Sequence, residues 1–359
     1  MSDALQEALV LLIPRLLGAL DRLETITRHM HPPLLPRLAA SLGSDDADLT
    51  AALASVRDAT WPEALAPFRD HIVLAGDSVL RANAGLRDAA RSPDGRMGAF
   101  RAARLQYRAI EALYPLTAAL PSISHFFIEP ARREDAALLA RIQAARRPEP
   151  GTGIYHFDNE TGTRGGFSVY VPEYLTRETP APVVFALHGG SGHGRVFIWS
   201  WLREARSRGM ILVAPTATGD TWSLMEPDVD SGHLSHVLSF VRERWSVNST
   251  RLLLNGMSDG GTFTLLSGLG ADSPFTHLAP VAASFHPLLV AVSEPERIQG
   301  LPVYLVHGAL DWMFPISTGR TANHTLTMAG AKVVFREIAD LSHTYPRDEN
   351  GAILDWFLG

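Results

Sequence analysis

The chain has 359 residues, 46% hydrophobic and 19% charged, with a net charge of −6 and no cysteine. This composition describes a globular chain with a packed core, suits two domains of ordinary size, and excludes disulfides, thiolate nucleophiles, iron–sulfur clusters and cysteine-bound zinc. Residues 1–150 balance 18 Arg against 18 Asp and Glu, whereas 14 Lys and Arg face 20 acidic residues in 151–359, which argues against nucleic acid as the partner of the C-terminal half.

The N-terminus, Met1-Ser2-Asp3-Ala4-Leu5-Gln6-Glu7, is acidic where a secretory leader would be basic, so a cytoplasmic location is expected. The apolar run from Ala8 to Leu20 is broken by Pro14 and Arg15 and falls short of the roughly 20 residues needed to span a bilayer. It reads as a buried helix face, and no membrane span is expected.

Through residue 147 the pattern is helical. Val79, Ala82, Leu86 and Ala89 recur at spacings of three and four, as do Phe100, Ala103, Tyr107, Ile110 and Tyr114, and each set would bury one stripe of a helix. Breakers fall at Pro32-Pro33, Gly43-Ser44, Trp61-Pro62, Ser92-Pro93-Asp94-Gly95 and Pro121-Ser122, which divides the region into about five to seven helices. The segment Arg146-Arg147-Pro148-Glu149-Pro150-Gly151-Thr152-Gly153 has linker composition, so the expected domains are 1–147, all-helical, and 148–359.

Beyond the linker, short β-branched runs alternate with amphipathic stretches, the signature of a mostly parallel sheet flanked by helices, hence an α/β fold. The expected strands are Gly166–Val171, Val183–Leu187, Ile211–Ala214, Arg251–Leu254, Leu278–Ala282, Val303–Val306 and Val333–Ile338. Helices are expected near Val196–Ser207, Gly232–Trp245, Gly260–Gly268, Ser317–Met328 and Asp348–Phe357.

Gly256-Met257-Ser258-Asp259-Gly260-Gly261 directly follows the apolar run Leu252-Leu253-Leu254. A serine between close glycines can occupy a sharp strand-to-helix turn, because side chains at the glycine positions would collide with backbone, and the turn pushes Oγ out at the sheet's C-terminal edge. Ser258 is therefore the candidate nucleophile. A second glycine-rich turn, His188-Gly189-Gly190-Ser191-Gly192, ends another apolar strand. It lacks the GK[ST] of a phosphate loop, and its open N–H groups suit a tetrahedral oxyanion. The expected donors are the backbone amides of Gly190 and Asp259.

An acid and a base should follow the serine in chain order. Asp311 lies just past the strand Val303–Val306 and His343 just past the last strand, both on loops at the same edge. The rivals fit less well: His324 falls mid-helix, His307 precedes Asp311, Asp340 is too near His343 in sequence to support its ring, and Asp272 precedes a strand. In the expected chemistry His343 takes the Ser258 proton while Asp311 orients and stabilises the ring. Trp222, Phe285, His286 and Trp312, after strands ending at the same edge, are the candidate substrate-binding residues. His233 with His236 and His29 with His31 lack a third ligand, so no metal site is expected.

Taken together, Leu187-His188-Gly189-Gly190, Arg251 to Gly261, Val306-His307-Gly308-Ala309-Leu310-Asp311 and Ser342-His343-Thr344-Tyr345-Pro346 resemble the α/β-hydrolase serine esterases. The likeness, from about Phe167 to Leu358, is to the phospholipase/carboxylesterase group and equally to the poly(3-hydroxybutyrate) depolymerase and feruloyl esterase-like group. It implies an α/β-hydrolase fold and an ester hydrolase working without metal or organic cofactor. Two features depart from those groups: Ser342 stands where glycine usually precedes the histidine, and the helical region has no counterpart. The expected substrate is a small to medium acyl ester; a polyester or feruloyl ester, an acyl thioester, and a non-catalytic binding role on the same scaffold are the alternatives. The helical region is expected to cover the site or to serve a homo-oligomer.

Overall fold

The computed structural model describes residues 3–43, 46–145 and 150–359, and the chain divides into two compact units, Met1–Ile128 and Glu129–Gly359. Residues 146–149 of the expected linker, like Ser44 of one expected breaker, lie outside the described residues.

The first unit is helical: α1 (Asp3–Arg28), α2 (Leu35–Ala40), α3 (Asp46–Asp58), α4 (Ala66–Arg91), α5 (Arg96–Leu113) and α6 (Pro121–Phe126). In α1 the buried residues Leu5, Leu9, Leu12, Leu16, Leu20 and Leu23 follow the three-and-four spacing of one helix stripe. Each such side chain contributes about 1.5–3 kcal/mol on leaving water. Val79, Ala82, Leu86 and Ala89 are likewise the buried stripe of α4. At Gly95, where the chain turns from α4 into α5, a Cβ would lie 1.8 Å from the Ala89 carbonyl oxygen, so only glycine fits. Gly85 lets the two helices approach closely, since its Cβ would come within 2.8 Å of Ala102 Cβ.

The second unit begins ahead of the expected linker, with α7 (Ala136–Ala144). The Arg141 guanidinium lies 4.9 Å from the centre of the Tyr174 ring, and Glu129 pairs with buried Arg208. The strands are β1 (Gly153–Phe157), β2 (Phe167–Val171), β3 (Ala181–Leu187), β4 (Ile211–Pro215), β5 (Val247–Met257), β6 (His277–Val281), β7 (Pro302–Gly308) and β8 (Lys332–Ile338). They form one sheet in the order β1-β2-β4-β3-β5-β6-β7-β8. From β4 to β8 all pairings are parallel, while β1 and β2 are antiparallel at one end. The helices are α8 (Gly194–Phe197), α9 (Leu202–Arg208), α10 (Asp230–Arg244), α11 (Asp259–Gly268), α12 (Leu288–Val292), α13 (Pro295–Ile298), α14 (Ile316–Met328) and α15 (Asn350–Leu358). This is the α/β-hydrolase architecture expected from the motifs.

Helices on both faces explain why the central strands are continuous apolar runs without alternation. Val183, Phe185 and Leu187 of β3 join Leu252 and Leu254 of β5 in one core with Val237 and Val241 of α10 and Phe263 of α11. Edge strand β8, by contrast, alternates between partly buried and exposed residues. The helix expected at Val196–Ser207 is broken by a 3-10 turn, Ile198–Ser200. There the Ser200 carbonyl accepts from Asn350 Nδ2 at 2.8 Å and Arg347 Nε at 3.2 Å, which draws it out of the helical ladder. Helix α9 then ends on Gly209 at φ 70°, the left-handed cap that glycine adopts without strain.

The tight α4–α5 approach can be tested directly. Gly85→Leu should overpack it and cost about 1–3 kcal/mol, read as a lower urea midpoint for loss of helical circular dichroism, with the folded far-ultraviolet spectrum unchanged.

Candidate active site

At the C-terminal edge of the sheet, β5 runs without a break into α11, and Ser258 sits at the junction with φ 56° and ψ −117°. A positive φ is uncommon for a residue with a side chain and stores strain of order 1–3 kcal/mol. The surrounding glycines enforce it. A Cβ at Gly256 would lie 2.1 Å from the Gly260 oxygen, at Gly260 2.4 Å from the His188 oxygen, and at Gly261 2.6 Å from the Val281 oxygen. Ser258 N–H donates to Val281 at 2.9 Å, and the Ser258 carbonyl accepts from Thr262 N at 2.8 Å to begin the helix. The turn is thus fastened to β6 on one side and to α11 on the other.

Two loops bring the expected partners. His343 Nε2 is 2.9 Å from Ser258 Oγ, and His343 Nδ1 is 2.8 Å from Asp311 Oδ2. The other Asp311 oxygen accepts from the amides of Met313 at 2.9 Å and Phe314 at 2.8 Å. Burial works against the Asp311 charge, but the His343 hydrogen bond and charge and these two amides outweigh it, so the carboxyl is held below its ordinary range. All three residues are buried. A carboxylate that accepts Nδ1–H leaves Nε2 free to accept from the serine hydroxyl, which fixes the neutral tautomer that can take its proton.

Gly189 lies against the serine, a Cβ there falling 3.5 Å from Ser258 Cβ, and Gly190 lies against the Asp259 side chain. The His188 ring holds this loop. Its Nε2 accepts from Ala217 N–H at 3.1 Å, so the proton of the neutral ring is on Nδ1, which donates to the Gly189 carbonyl at 2.7 Å. That carbonyl also accepts from Gly192 N–H at 2.9 Å. The carbonyl and the following N–H of a planar peptide point in opposite directions, so pinning the Gly189 oxygen fixes where Gly190 N–H aims. Asp259 N–H, at the first position of α11, has no partner within the helix. The two expected oxyanion donors therefore come from turns held on either side of Ser258.

The aromatic candidates divide. Trp312 is 37% exposed and stands edge-on to the His343 ring at 6.3 Å. Phe285 is half-buried against the core, and His286 is exposed. Trp222 is a correction to the expectation: at 2% exposure it is enclosed, its indole N–H donating to the His188 carbonyl at 2.7 Å and its ring stacked on Phe263 at 5.4 Å. It supports the glycine loop from below. Of the rivals, His324 lies in α14 as expected, and His307 is buried behind the site with Nε2 donating to the Phe314 carbonyl at 2.9 Å.

Two further groups support the site. Phe314 packs edge-on against the His343 ring at 5.4 Å. Arg164 braces the loops after β3 and β4 by donating to the carbonyls of Gly192 at 2.7 Å, Gly219 at 2.6 Å and Asp220 at 3.2 Å. No local pattern marks it, because its partners are backbone oxygens far along the chain. Among the described residues no group of three or more His, Asp or Glu could hold a metal ion, and no helix is long and apolar enough to cross a membrane.

With this geometry in view, a family model described as phospholipase/carboxylesterase matches residues 227–357. A bifunctional acetylxylan esterase/xylanase of Neocallimastix patriciarum is 26% identical over 162 residues, 44% of this chain and 23% of that protein, so the chain spans about a quarter of that relative's length. Among solved structures, a thermostable esterase aligns over 57% of this chain and 61% of its own at 18% identity and a TM-score of 0.46. A substrate-bound fluorophosphonate-binding serine hydrolase of Staphylococcus aureus aligns over 57% and 97% at 14% identity and a TM-score of 0.46. The family match and the acetylxylan esterase relative bear out the α/β-hydrolase esterase resemblance drawn from the motifs.

The buried imidazoles make stability depend on pH in a definite direction. Burial lowers His188 to about 3, and burial lowers His156 and His277 to about 4, whereas an unfolded histidine titrates near about 6.5. Between those limits the unfolded chain binds protons that the folded chain does not. Their contribution is therefore complete above about pH 6.5 and is lost as pH falls toward about 4. Urea unfolding at stepped pH should show this decline, and His188→Gln should flatten its slope; a midpoint that rises on acidification through this window would contradict it.

Proposed function

We propose that the chain is a serine carboxylic ester hydrolase acting through an acyl-enzyme on small to medium acyl esters, without metal or organic cofactor, in the cytoplasm. Ser258 is the nucleophile, His343 the base and then the acid, Asp311 the carboxylate that orients the ring, and the N–H groups of Gly190 and Asp259 the oxyanion donors. The observation that carries this reading is the unbroken hydrogen-bond chain from Asp311 through His343 to Ser258 Oγ, at 2.8 and 2.9 Å, ending on a strained turn. Esterase kinship in the family match and the acetylxylan esterase relative support it, the latter at the short end of the acyl range.

In the first step Oγ bonds to the acyl carbon, its proton passes to His343 Nε2, and the carbonyl electron pair moves onto oxygen, where the two amides meet the new charge. Collapse of the intermediate expels the alcohol oxygen, which takes the proton from His343 and leaves the acyl group on Ser258. Water then repeats the sequence with His343 again as base, releasing the carboxylic acid and restoring the serine. Asp311 stays ionised and stabilises the imidazolium that forms twice in the cycle. Trp312, Phe285 and His286 would border the acyl or alcohol part. The proposal also divides the chain at 147/148 into an all-helical domain and a catalytic domain, with the helical one serving as a cover or in a homo-oligomer.

Hydrolysis of p-nitrophenyl esters and labelling by a fluorophosphonate test this reading. Ser258→Ala and His343→Ala should each lower kcat about 10⁴-fold or more, and Asp311→Asn about 10³–10⁴-fold, at unchanged circular dichroism. Label should be confined to Ser258. Near-normal hydrolysis by folded Ser258→Ala would rule the proposal out.

A further inference from the structure

The Asp259 side chain is not accounted for by the oxyanion role of its own amide. It occupies the position after the nucleophile, is half-buried, and turns back over the glycine loop: a Cβ on Gly190 would lie 2.6 Å from Asp259 Oδ2 and 3.4 Å from its Cγ. Asp259 Oδ2 accepts a hydrogen bond from Thr221 Oγ1 at 2.6 Å, and Thr221 is on the loop after β4. The carboxylate is therefore fixed by two loops and by its own helix, immediately beside one of the two amides assigned to the oxyanion.

Its carboxylate has no ion-pair partner: no Lys, Arg or His forms an ion pair with Asp259 among the described residues. Arg164, which braces the neighbouring loops, donates to the carbonyls of Gly192, Gly219 and Asp220 and not to this carboxylate. Contrast Asp311, whose carboxylate is enclosed and saturated by His343 and two amides. Asp259 has a single hydroxyl donor and remains partly open at the edge where an ester would enter. A fixed negative charge in a partly desolvated cleft repels a second one more strongly than the same charge in bulk water.

We propose that the Asp259 carboxylate is a charge filter for the acyl group, rejecting esters whose acyl chain carries a carboxylate and favouring neutral or cationic ones. The inference rests on the ester-hydrolase reading and adds to it the electrostatic class of substrate. The backbone N–H of residue 259 is untouched by side-chain replacement, so the filter can be removed while the oxyanion donor stays.

The test compares kcat/KM for three p-nitrophenyl esters of similar length: butyrate, the glutaric acid monoester, and 4-(trimethylammonio)butyrate. In the wild-type full chain the anionic ester should be hydrolysed at least about tenfold less efficiently than the neutral one. Asp259→Asn should raise the anionic-to-neutral ratio by about fivefold or more and lower the cationic-to-neutral ratio, whereas Asp259→Glu should preserve the wild-type order. Opposite shifts for the two charged esters separate a filter from a folding defect, which would lower all three rates together. The wild type gives an independent check, because raising ionic strength shortens the screening length from about 30 Å at 0.01 M to about 3 Å at 1 M and should raise the anionic-to-neutral ratio. Hydrolysis that depends on Ser258 but shows ratios insensitive to both Asp259→Asn and salt would overturn the filter alone. Absence of any Ser258-dependent hydrolysis would overturn the esterase reading and the filter with it.

Discussion

The site depends on one backbone constraint, the positive φ of Ser258. An ordinary strand-to-helix junction would leave the serine in the plane of the sheet or against the helix; φ 56° and ψ −117° turn it outward. Nothing in serine favours that conformation. It persists because Gly256, Gly260 and Gly261 bring backbone oxygens so close that no side chain could intervene, and because β5 is buried through its last six residues. Strain of order 1–3 kcal/mol at one residue is small beside the burial of a central strand. The sheet thus holds the turn in a state that a loop alone would not keep.

Apolar burial sets the strength of this support but not its direction, which comes from buried polar groups. Asn255, three residues before the serine, donates to the Ala279 carbonyl at 2.6 Å, and its oxygen lies 3.2 Å from both Trp201 Nε1 and Tyr345 Oη. Tyr345 donates to Asn350 Oδ1 at 2.8 Å, and Asn350 donates to the Ser200 carbonyl. Tyr345 is two residues past His343, so this network ties the histidine loop to the strand that leads into Ser258. Each partner left unsatisfied at such depth would cost about 1–3 kcal/mol. That penalty makes alternative loop positions unfavourable and keeps Nε2 near Oγ.

How much of this was legible in the sequence follows from how local each cause is. The parallel strands announced themselves as unbroken apolar runs because both faces are covered. Strand β1 was missed, since Gly153-Ile154-Tyr155-His156-Phe157 follows a stretch of linker composition and every residue in it is only partly buried. The meeting of Ser258, Asp311 and His343 at one edge was readable from chain order, because strands of one direction deliver the loops that follow them to a common side. Trp222 was misjudged for the same reason inverted: position after a strand gave the edge but not the depth, and its indole was claimed by the His188 carbonyl. Short helices α12 and α13 carried too few turns to show a period. Arg164 and the Asn255 network could not be read at all, because each acts on backbone or side chains some 20 to 150 residues away.

Two carboxylates flank the same serine, and their surroundings assign them different work. Asp311 is enclosed, at 7% exposure, and receives three N–H donors. In the proposed mechanism its charge is directed wholly at the imidazole and is hidden from whatever enters the site. Asp259, the residue after the serine, has one hydroxyl donor and part of its surface open. It makes no hydrogen bond to His343, whose Nδ1 is engaged by Asp311. In the proposed filter its field acts on the incoming acyl group. On the proposed reading the enclosed charge sets the tautomer of His343 and the open one bears on which esters are accepted, so burial divides chemistry and selectivity between two residues of the same type.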